Sequence, residues 1–511
     1  MTDRSADRRH VVVVGGGPAG LAAAIAAADA GARVTLLEAG SQLGGQFWRH
    51  LPEGRDPRGQ ERLHHGWSTF QGMLARARDA DAIEVRTETS VWAVAARPGD
   101  EVGAKGLLVE TIAGPVDGTA RSSDSLRPDA LVIATGAHDR TLPFPGWELP
   151  GVYTGGAAQA LAKSERLAIG RRVVVAGAGP FLLPVAASLS QVGARVVLVA
   201  EAGRAPRLVR GWLPRPWQLA RVPHKLTELL QYVGGQIAHR IPYRLGHAVV
   251  RAEGRGSVER VVLARVDAQW RPIPGTERVV ACDAVCVTHG FTPRLEAAIA
   301  AGCALDDDRF VVIDEGCRTS VPEVYAAGEI TGIGGVDLAL AEGAVAGHCA
   351  AGGASADAAI ARAQRARAVF SGFADRIEAA HGIRPGWQEW VTDDTVVCRC
   401  EEVSAGELRR KATATGSASL RSQKLSTRAG LGICQGRVCG RSAEQLLATR
   451  VGVEHLDGGR VDRRPIHAPI RLGELAGRSG APADAGPNTV CVGSRPTRRQ
   501  EGQEQTCEPH D

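Results

Sequence analysis

Long apolar runs are missing from this sequence. The longest stretches, such as Phe181 to Leu189, fall short of the roughly 18 uninterrupted residues a membrane-spanning helix needs, so no transmembrane segment is expected. There is no lysine-rich run and no regular spacing of aromatics, and 61 basic residues are nearly offset by 56 acidic ones. That argues against a nucleic-acid surface. Met1 to His10 is hydrophilic, and the alanine-rich stretch from Ala19 follows a strand pattern rather than a basic leader, so no signal peptide is expected. The eleven cysteines are spread along the chain, and four of them fall in two tight pairs. This predicts a reducing cytoplasmic setting with a metal site rather than a disulfide framework. Acid–base machinery is also scarce: His50, His64, His65, His138 and His289 have no partner readable from the sequence and are expected to be structural or surface histidines.

What is present is a long chain rich in glycine. At 511 residues with 63 glycines, it has room for roughly three domains and for many tight turns. Val11 to Val14 reads as a buried strand, Ala19 to Ala30 as a helix and Val34 to Leu37 as a second strand, which together make one βαβ unit. Strands alternate with loops from Ile83 to Thr111, and Ala130 to Ala134 is another apolar strand. A second βαβ unit begins at Val173 to Ala176 and returns at Val196 to Val199. Val279 to Thr288 and Val324 to Ala327 read as strands, followed by a glycine-interrupted helix from Val336 and a helical stretch from Ala350 to Ala379. Gly477 to Asp511, rich in Gly, Pro, Arg, Gln and Glu, is expected to be disordered.

Gly15, Gly17 and Gly20 form G-x-G-x-x-G between the first strand and its helix, and Glu38 lies 23 residues after Gly15 at the end of the second strand. The glycines let the backbone approach a pyrophosphate at the helix N-terminus, and the acid suits a ribose hydroxyl. In the second unit Gly177 and Gly179 are present, but the third position is Leu182, so the helix must sit farther from the strand or pack differently. Glu201 is placed for an NAD ribose, and Arg204, Arg207 and Arg210 for a phosphate. A working NAD(P) site, a partly disabled fold and a site for another adenine nucleotide all remain open for this unit.

Cys398 and Cys400 form C-x-C, and after 33 intervening residues Cys434 and Cys439 form C-x4-C. Four thiolates suit zinc or a [2Fe-2S] cluster. Arg399, Lys424, Arg428 and Arg437 are expected to bring positive charge near the sulfurs, and Gly430, Gly432 and Gly436 to let backbone amides approach them, both of which raise a cluster's potential. Cys282, Cys286, Cys303, Cys317 and Cys349 read as buried packing, and Cys491 and Cys507 in the tail as non-ligands.

Further motifs carry a resemblance. Gly44-Gly45-Gln46, Ala134-Thr135-Gly136 and Tyr325-Ala326-Ala327-Gly328-Glu329 stand where flavoproteins similar to glutathione and thioredoxin reductases hold FAD. In that family the last acid is usually aspartate and meets the ribityl chain. Here it is Glu329, one methylene longer. Gly332-Ile333-Gly334-Gly335 precedes a helix whose positive end would face the flavin N1 and O2 edge. No cysteine pair lies near these motifs, so disulfide reduction is not expected. The C-x-C/C-x4-C pattern resembles the bacterioferritin-associated ferredoxin-like [2Fe-2S] domain, which favours iron–sulfur over zinc.

The whole order, with Gly177-Ala178-Gly179-Pro180-Phe181-Leu182-Leu183 as a degenerate second site and Cys434-Gln435-Gly436-Arg437 as the cluster loop, resembles the family that contains the A subunit of opine oxidase and the B subunit of hydrogen cyanide synthase, over about residues 8 to 450. The resemblance implies an α/β flavoprotein with two dinucleotide-binding domains plus a small helical [2Fe-2S] domain. FAD would be held by 8–150 with 281–352, through Gly15, Gly17, Gly20, Glu38, Gly45, Gln46, Thr135, Gly136, Gly328 and Glu329. An NAD(P)-like fold would span 151–280 with Gly177, Gly179 and Glu201, a helical connector 353–388, the cluster domain 389–450, and an extension 451–511 with the disordered tail. It also implies electron transfer from a second flavoprotein subunit that oxidises an amino acid or amine and, as a further partner, a small ferredoxin-like subunit. A self-contained NAD(P)H-dependent flavin reductase and a non-catalytic redox sensor or scaffold are the competing readings.

Overall fold

The computed structural model describes residues 8–52, 54–55, 59–96, 106–214, 221–416, 419–452, 462–464 and 466–476. The chain divides into a compact unit, Met1–Pro469, and a second unit, Ile470–Asp511, whose described part holds the short helix Leu472–Ala476. The tail after Ala476, with Cys491 and Cys507, lies outside the described residues. Among the described residues no helix is long and apolar enough to cross a membrane.

Two parallel five-stranded sheets organise the first unit. The first runs Val324–Ala326, Ala130–Ile133, His10–Val14, Arg33–Leu37, Ile83–Arg86. Val11, Val12 and Val13 are wholly buried because helices and loops cover both faces, which is why these strands read as unbroken apolar runs rather than alternations. The second sheet runs Tyr243–Leu245, Arg195–Glu201, Arg172–Gly177, Ala284–Thr288, Val152–Thr154. Each is accompanied by a three-stranded antiparallel sheet, Thr89–Ala96/Leu107–Ala113/Ser122–Leu126 and His247–Glu253/Arg260–Arg265/Arg278–Ala281. A two-stranded ribbon, Ala137–Asp139 against Phe291–Pro293, joins the two halves.

Two segments differ from the reading of the sequence. The apolar run 279–288 is two strands in different sheets. The break falls at Asp283, whose carboxylate accepts the Arg171 and Arg172 amides at 3.0 and 2.8 Å. The alanine-rich stretch after 350 is interrupted by Gly352 at φ +100°, and the helix proper is Ala361–His381. That helix is no bare connector: Gly211 of Ala205–Trp212 meets it so closely that a Cβ there would lie 2.6 Å from Ala380.

The first helix, Pro18–Asp29, packs on Val336–Ala350. Gly343 and Gly347 stand one turn apart, and a Cβ on them would fall 2.1 and 2.0 Å from the carbonyl oxygens of Ala19 and Ala23. Small residues on both helices let the backbones touch. The matched order, 19 with 343 and 23 with 347, makes the pair parallel, so both positive helix ends point to the same side of the sheet.

Candidate functional site

The first glycine turn is shaped by contact. Gly15 has φ +108°, and a Cβ on Gly20 would lie 1.7 Å from the Gly15 carbonyl oxygen, so the first turn of the helix presses directly on the strand end. Gly17 differs, because the nearest atom to a Cβ there is the Gly45 Cα at 3.8 Å; the space before it is open, as a bound phosphate requires. Gly45, at φ +59°, closes the other side, and the Gly44 amide donates to the Gly16 carbonyl at 2.8 Å. The Glu38 carboxylate accepts the amides of Gly16 and Gly40, each at 2.7 Å, and it lines the cavity together with Gln46.

Across this turn, Gly328 takes φ +84° beneath Ala19, and Glu329 accepts the Gly335 amide at 2.8 Å. Burial pushes the Glu329 carboxyl up to about 7. Behind it stands a residue that the sequence motifs did not single out. Glu342 is buried in the helix and accepts the Gly328 amide at 2.9 Å and the Thr331 hydroxyl at 2.6 Å, which fixes the return turn. Its only signal in the sequence is an acid in the apolar middle of a helix whose other charged or titratable residues, Asp337 and His348, lie near its ends. The Thr135 hydroxyl donates to the Arg294 carbonyl at 2.7 Å, and the Arg294 amide to the Gly136 carbonyl at 2.9 Å, tying that motif to the ribbon.

The second turn is built differently. Its helix begins at Leu182, five residues after Gly177, whereas the first begins at Pro18, three after Gly15. Leu182 is wholly buried beside Val173 and Val185, so its side chain occupies the core where a glycine would let the backbone close in. Glu201, expected to face a ribose, is instead enclosed. With no exposed surface, it accepts the amides of Gly179 and Gly203 and the Tyr243 hydroxyl, each at 3.1 Å, and the His381 ring stands 3.4 Å away. His381 comes from the end of helix Ala361–His381, a contact across 180 residues that no motif reveals. Arg204 and Arg210 are exposed and Arg207 donates to the Ala380 carbonyl at 3.2 Å, so the three do not converge on a phosphate.

The four cysteines of the C-terminal module come together. Cys439 lies within interaction distance of Cys398 and Cys434, and Cys434 of Cys400 in turn. These thiol contacts and nearby amides hold Cys398 down at about 6 and Cys434 at about 4, while the same contacts and burial raise Cys439. Amides of Gly430 and Glu401 point at Cys398, and those of Val438 and Gly436 at Cys434. Gly432 serves packing, since a Cβ there would lie 2.2 Å from the Cys400 Cβ. Among the described residues no group of three or more His, Cys, Asp or Glu is placed to hold a metal ion as it stands; four neighbouring thiols are a ligand set that suits either zinc or a [2Fe-2S] cluster.

The expected positive charge around the sulfurs is paired only in part, since Glu296 is shared between Arg437 and Arg464. Arg428 pairs with Glu401 at 2.7 Å, Arg437 with Glu296 at 2.6 Å, and Arg399 lies over the Trp147 ring. The five remaining described cysteines, Cys282, Cys286, Cys303, Cys317 and Cys349, are all buried.

One cavity of about 2830 Å³ joins these parts. It is lined by Gly15, Gly17, Gln46 and Glu329 on one side and reaches Arg437, in the loop between Cys434 and Cys439. The His138 ring lies in between, its Nε2 donating to the Arg437 carbonyl at 3.0 Å.

Residues 9–363 match the family described as pyridine nucleotide-disulphide oxidoreductase, and residues 396–449 match the BFD-like [2Fe-2S] binding domain. The A subunit of opine oxidase from Rhizobium meliloti is 31% identical over 480 residues, 91% of this chain and 87% of that protein. The HcnB subunit of hydrogen cyanide synthase from Pseudomonas protegens is 32% identical over 444 residues, 84% and 89% of the two chains. Among solved structures, L-proline dehydrogenase from P. horikoshii shares the fold, with TM-score 0.61 and 21% identity over 91% of this chain and 80% of that one. The open Gly17 turn fits FAD and the linked thiols fit the cluster, and the chain belongs to the FAD-dependent pyridine nucleotide-disulphide oxidoreductases with an added BFD-like [2Fe-2S] domain.

Proposed function

We propose that this chain is the electron-transfer subunit of a heteromeric dehydrogenase or oxidase acting on an amino acid, an opine or another secondary amine. The observation that carries the reading is the single cavity running from the first glycine turn to Arg437 in the cluster loop. The names of its relatives, subunits of opine oxidase and of hydrogen cyanide synthase, support a partner-dependent role and a nitrogen-bearing substrate. FAD, when bound, accepts two electrons and releases them singly, and a [2Fe-2S] centre carries one at a time.

In this reading the backbone of Gly15, Gly17, Gly20 and Gly45 holds the pyrophosphate, Glu38 the adenosine ribose, and Gln46, Thr135, Gly136, Gly328 and Glu329 the ribityl and flavin end. Cys398, Cys400, Cys434 and Cys439 ligate the cluster. The FAD part spans 8–150 and 281–352, the second fold 151–280 and the cluster domain 389–450. A second flavoprotein subunit oxidises the substrate, in the cytoplasm. The enclosure of Glu201 by Tyr243 and His381 favours this over a self-contained NAD(P)H-driven reductase, because the acid suited to a ribose has no free face. Co-expression with a D-amino-acid-oxidase-like flavoprotein, sought among the neighbouring genes, should yield amine-dependent dye reduction, and the isolated chain should show none. Turnover of proline, sarcosine or an opine by the isolated polypeptide would overturn the reading, as would rapid NADH oxidation by it.

A further inference from the structure

The second half of the molecule sends Lys163 into the cavity that the FAD reading assigns to the flavin. Helix Gly155–Ala160 continues as a π-helical turn, Leu161–Glu165, which ends at Arg166 with φ +57°. Such turns are infrequent and often occur at functional sites. Here the turn carries Lys163 inward, 5% exposed, against the segment that follows Gly45-Gln46. Its Nζ donates to the Phe47 carbonyl at 3.0 Å and stands 5.5 Å from the centre of the Phe47 ring.

An ammonium has three donors, and the described residues supply this one with a single neutral acceptor. No carboxylate among the described residues forms an ion pair with Lys163, and burial without an opposing charge brings its pKa down to about 8. The neighbouring His64 adds no negative charge: it is buried, lowered to about 4 and set between the carbonyls of Gln60 and Arg49. A buried, uncompensated cation facing a cavity is costly until a negative charge arrives there.

We propose that Lys163 is the electrostatic partner of the reduced, anionic flavin, stabilising the negative charge that two-electron reduction with uptake of one proton leaves on the ring. The inference rests on FAD occupying this cavity. The pyrophosphate already has the glycine-turn amides and the N-terminus of Pro18–Asp29, whereas Thr135-Gly136 lead the flavin end toward the ribbon and the half from which Lys163 projects, where Lys163 would add its charge to the positive end of Val336–Ala350. Lys163 is thus a positioning residue for electrons rather than for phosphate.

The test uses the FAD-loaded chain with Lys163→Met, Lys163→Gln, which keeps a donor for the Phe47 carbonyl, and Lys163→Arg. FAD content should stay near wild type in all three. In the Met and Gln variants the two-electron reduction equilibrium, read by spectroelectrochemistry, should shift at least tenfold against reduction, about 30 mV for a two-electron couple. Sulfite, whose flavin adduct is also anionic, should bind at least tenfold more weakly, and Lys163→Arg should recover most of both. Unchanged potential and sulfite affinity in folded, yellow variants would overturn the inference. So would loss of FAD with no change in potential, which would place Lys163 on the pyrophosphate. Wild-type protein that never retains FAD would instead sink the cofactor reading on which the inference stands.

Discussion

Gly17 and Gly20 belong to one motif but carry different loads. A Cβ on Gly20 would collide with the Gly15 carbonyl, whereas one on Gly17 would make only an ordinary contact with the Gly45 Cα at 3.8 Å. Gly20→Ala should therefore destabilise the apoprotein by about 3 kcal/mol, the upper range of overpacking, in a urea melt. Gly17→Val should fold normally and lose the yellow absorbance of FAD, because its side chain enters the phosphate position. A folded Gly17→Val protein with full flavin content would refute the placement of the pyrophosphate. Glu329 makes a second residue-level prediction, on pH. Its folded pKa is raised from 4.5 to about 7 by burial, so the stability contributed by its protonated form is complete below about 4.5 and is lost as pH rises through about 7. Thermal midpoints of the apoprotein should fall over that window, and Glu329→Gln should flatten the fall. An equally steep fall in the variant would assign it to other groups. The motif was legible because glycine patterns mark backbone constraints directly. Glu342 was not, because a carboxylate on an alanine helix acquires meaning only when a turn 14 residues away in sequence folds onto it.

At the scale of elements, the parallel helix pair explains why Val336–Ala350 is interrupted by glycines: they mark where Pro18–Asp29 crosses. The cysteine module obeys the same logic, with short thiolate pairs on turns flanking Ala405–Thr415 and Leu420–Thr427. Its spacing was readable, but the neutralising partners of Arg428 and Arg437 were not, since Glu401 and Glu296 are brought to them by folding. Cys434→Ser should abolish the reduced-state paramagnetic signal and the two labile sulfides expected per chain. Flavin should remain, because the core under the glycine turn, Val11, Ala19 and Val345 among others, shares no residue with the core that contains Cys398 and Cys439. Stoichiometric zinc without labile sulfide in iron-sufficient, anaerobically prepared wild type would reject the cluster, and loss of flavin in the variant would show that the two cores depend on each other.

Over the whole molecule, the cysteine module is a buttress as well as a metal carrier. Its core is continuous with that of the second antiparallel sheet through Trp147, Trp270, Trp387 and Trp390. Helix Gly440–Val451 is pinned by Ser442 to the Thr141 carbonyl at 2.7 Å and by Gln445 to Arg140 at 2.9 Å, just past the ribbon that joins the halves. Arg309 reaches from the loop before the FAD return strand to Glu444, and to Asp462 at 3.4 Å, with side-chain exposures of 12%, 3% and 13%. Breaking a buried pair leaves an uncompensated charge, so Arg309→Met should cost about 3 kcal/mol in chemical unfolding. Glu444→Gln in the same background should recover part of the loss. A neutral Arg309→Met would show that the two regions hold together without this link.

Local sequence was enough to specify the two βαβ units, the first glycine turn and the four thiols, because each depends on backbone permissiveness or on ligand chemistry within a few tens of residues. The bend at Asp283 and the break at Gly352 were beyond it, since an apolar run does not say which sheet receives it. Only the tertiary structure decided that Glu201 is closed off by Tyr243 and His381, that Glu342 holds the return turn, and that Lys163 stands uncompensated in the cavity. Each of these is a matter of one buried charge and what faces it, and electrostatic environment is set by groups that are distant in the chain and adjacent only in the fold.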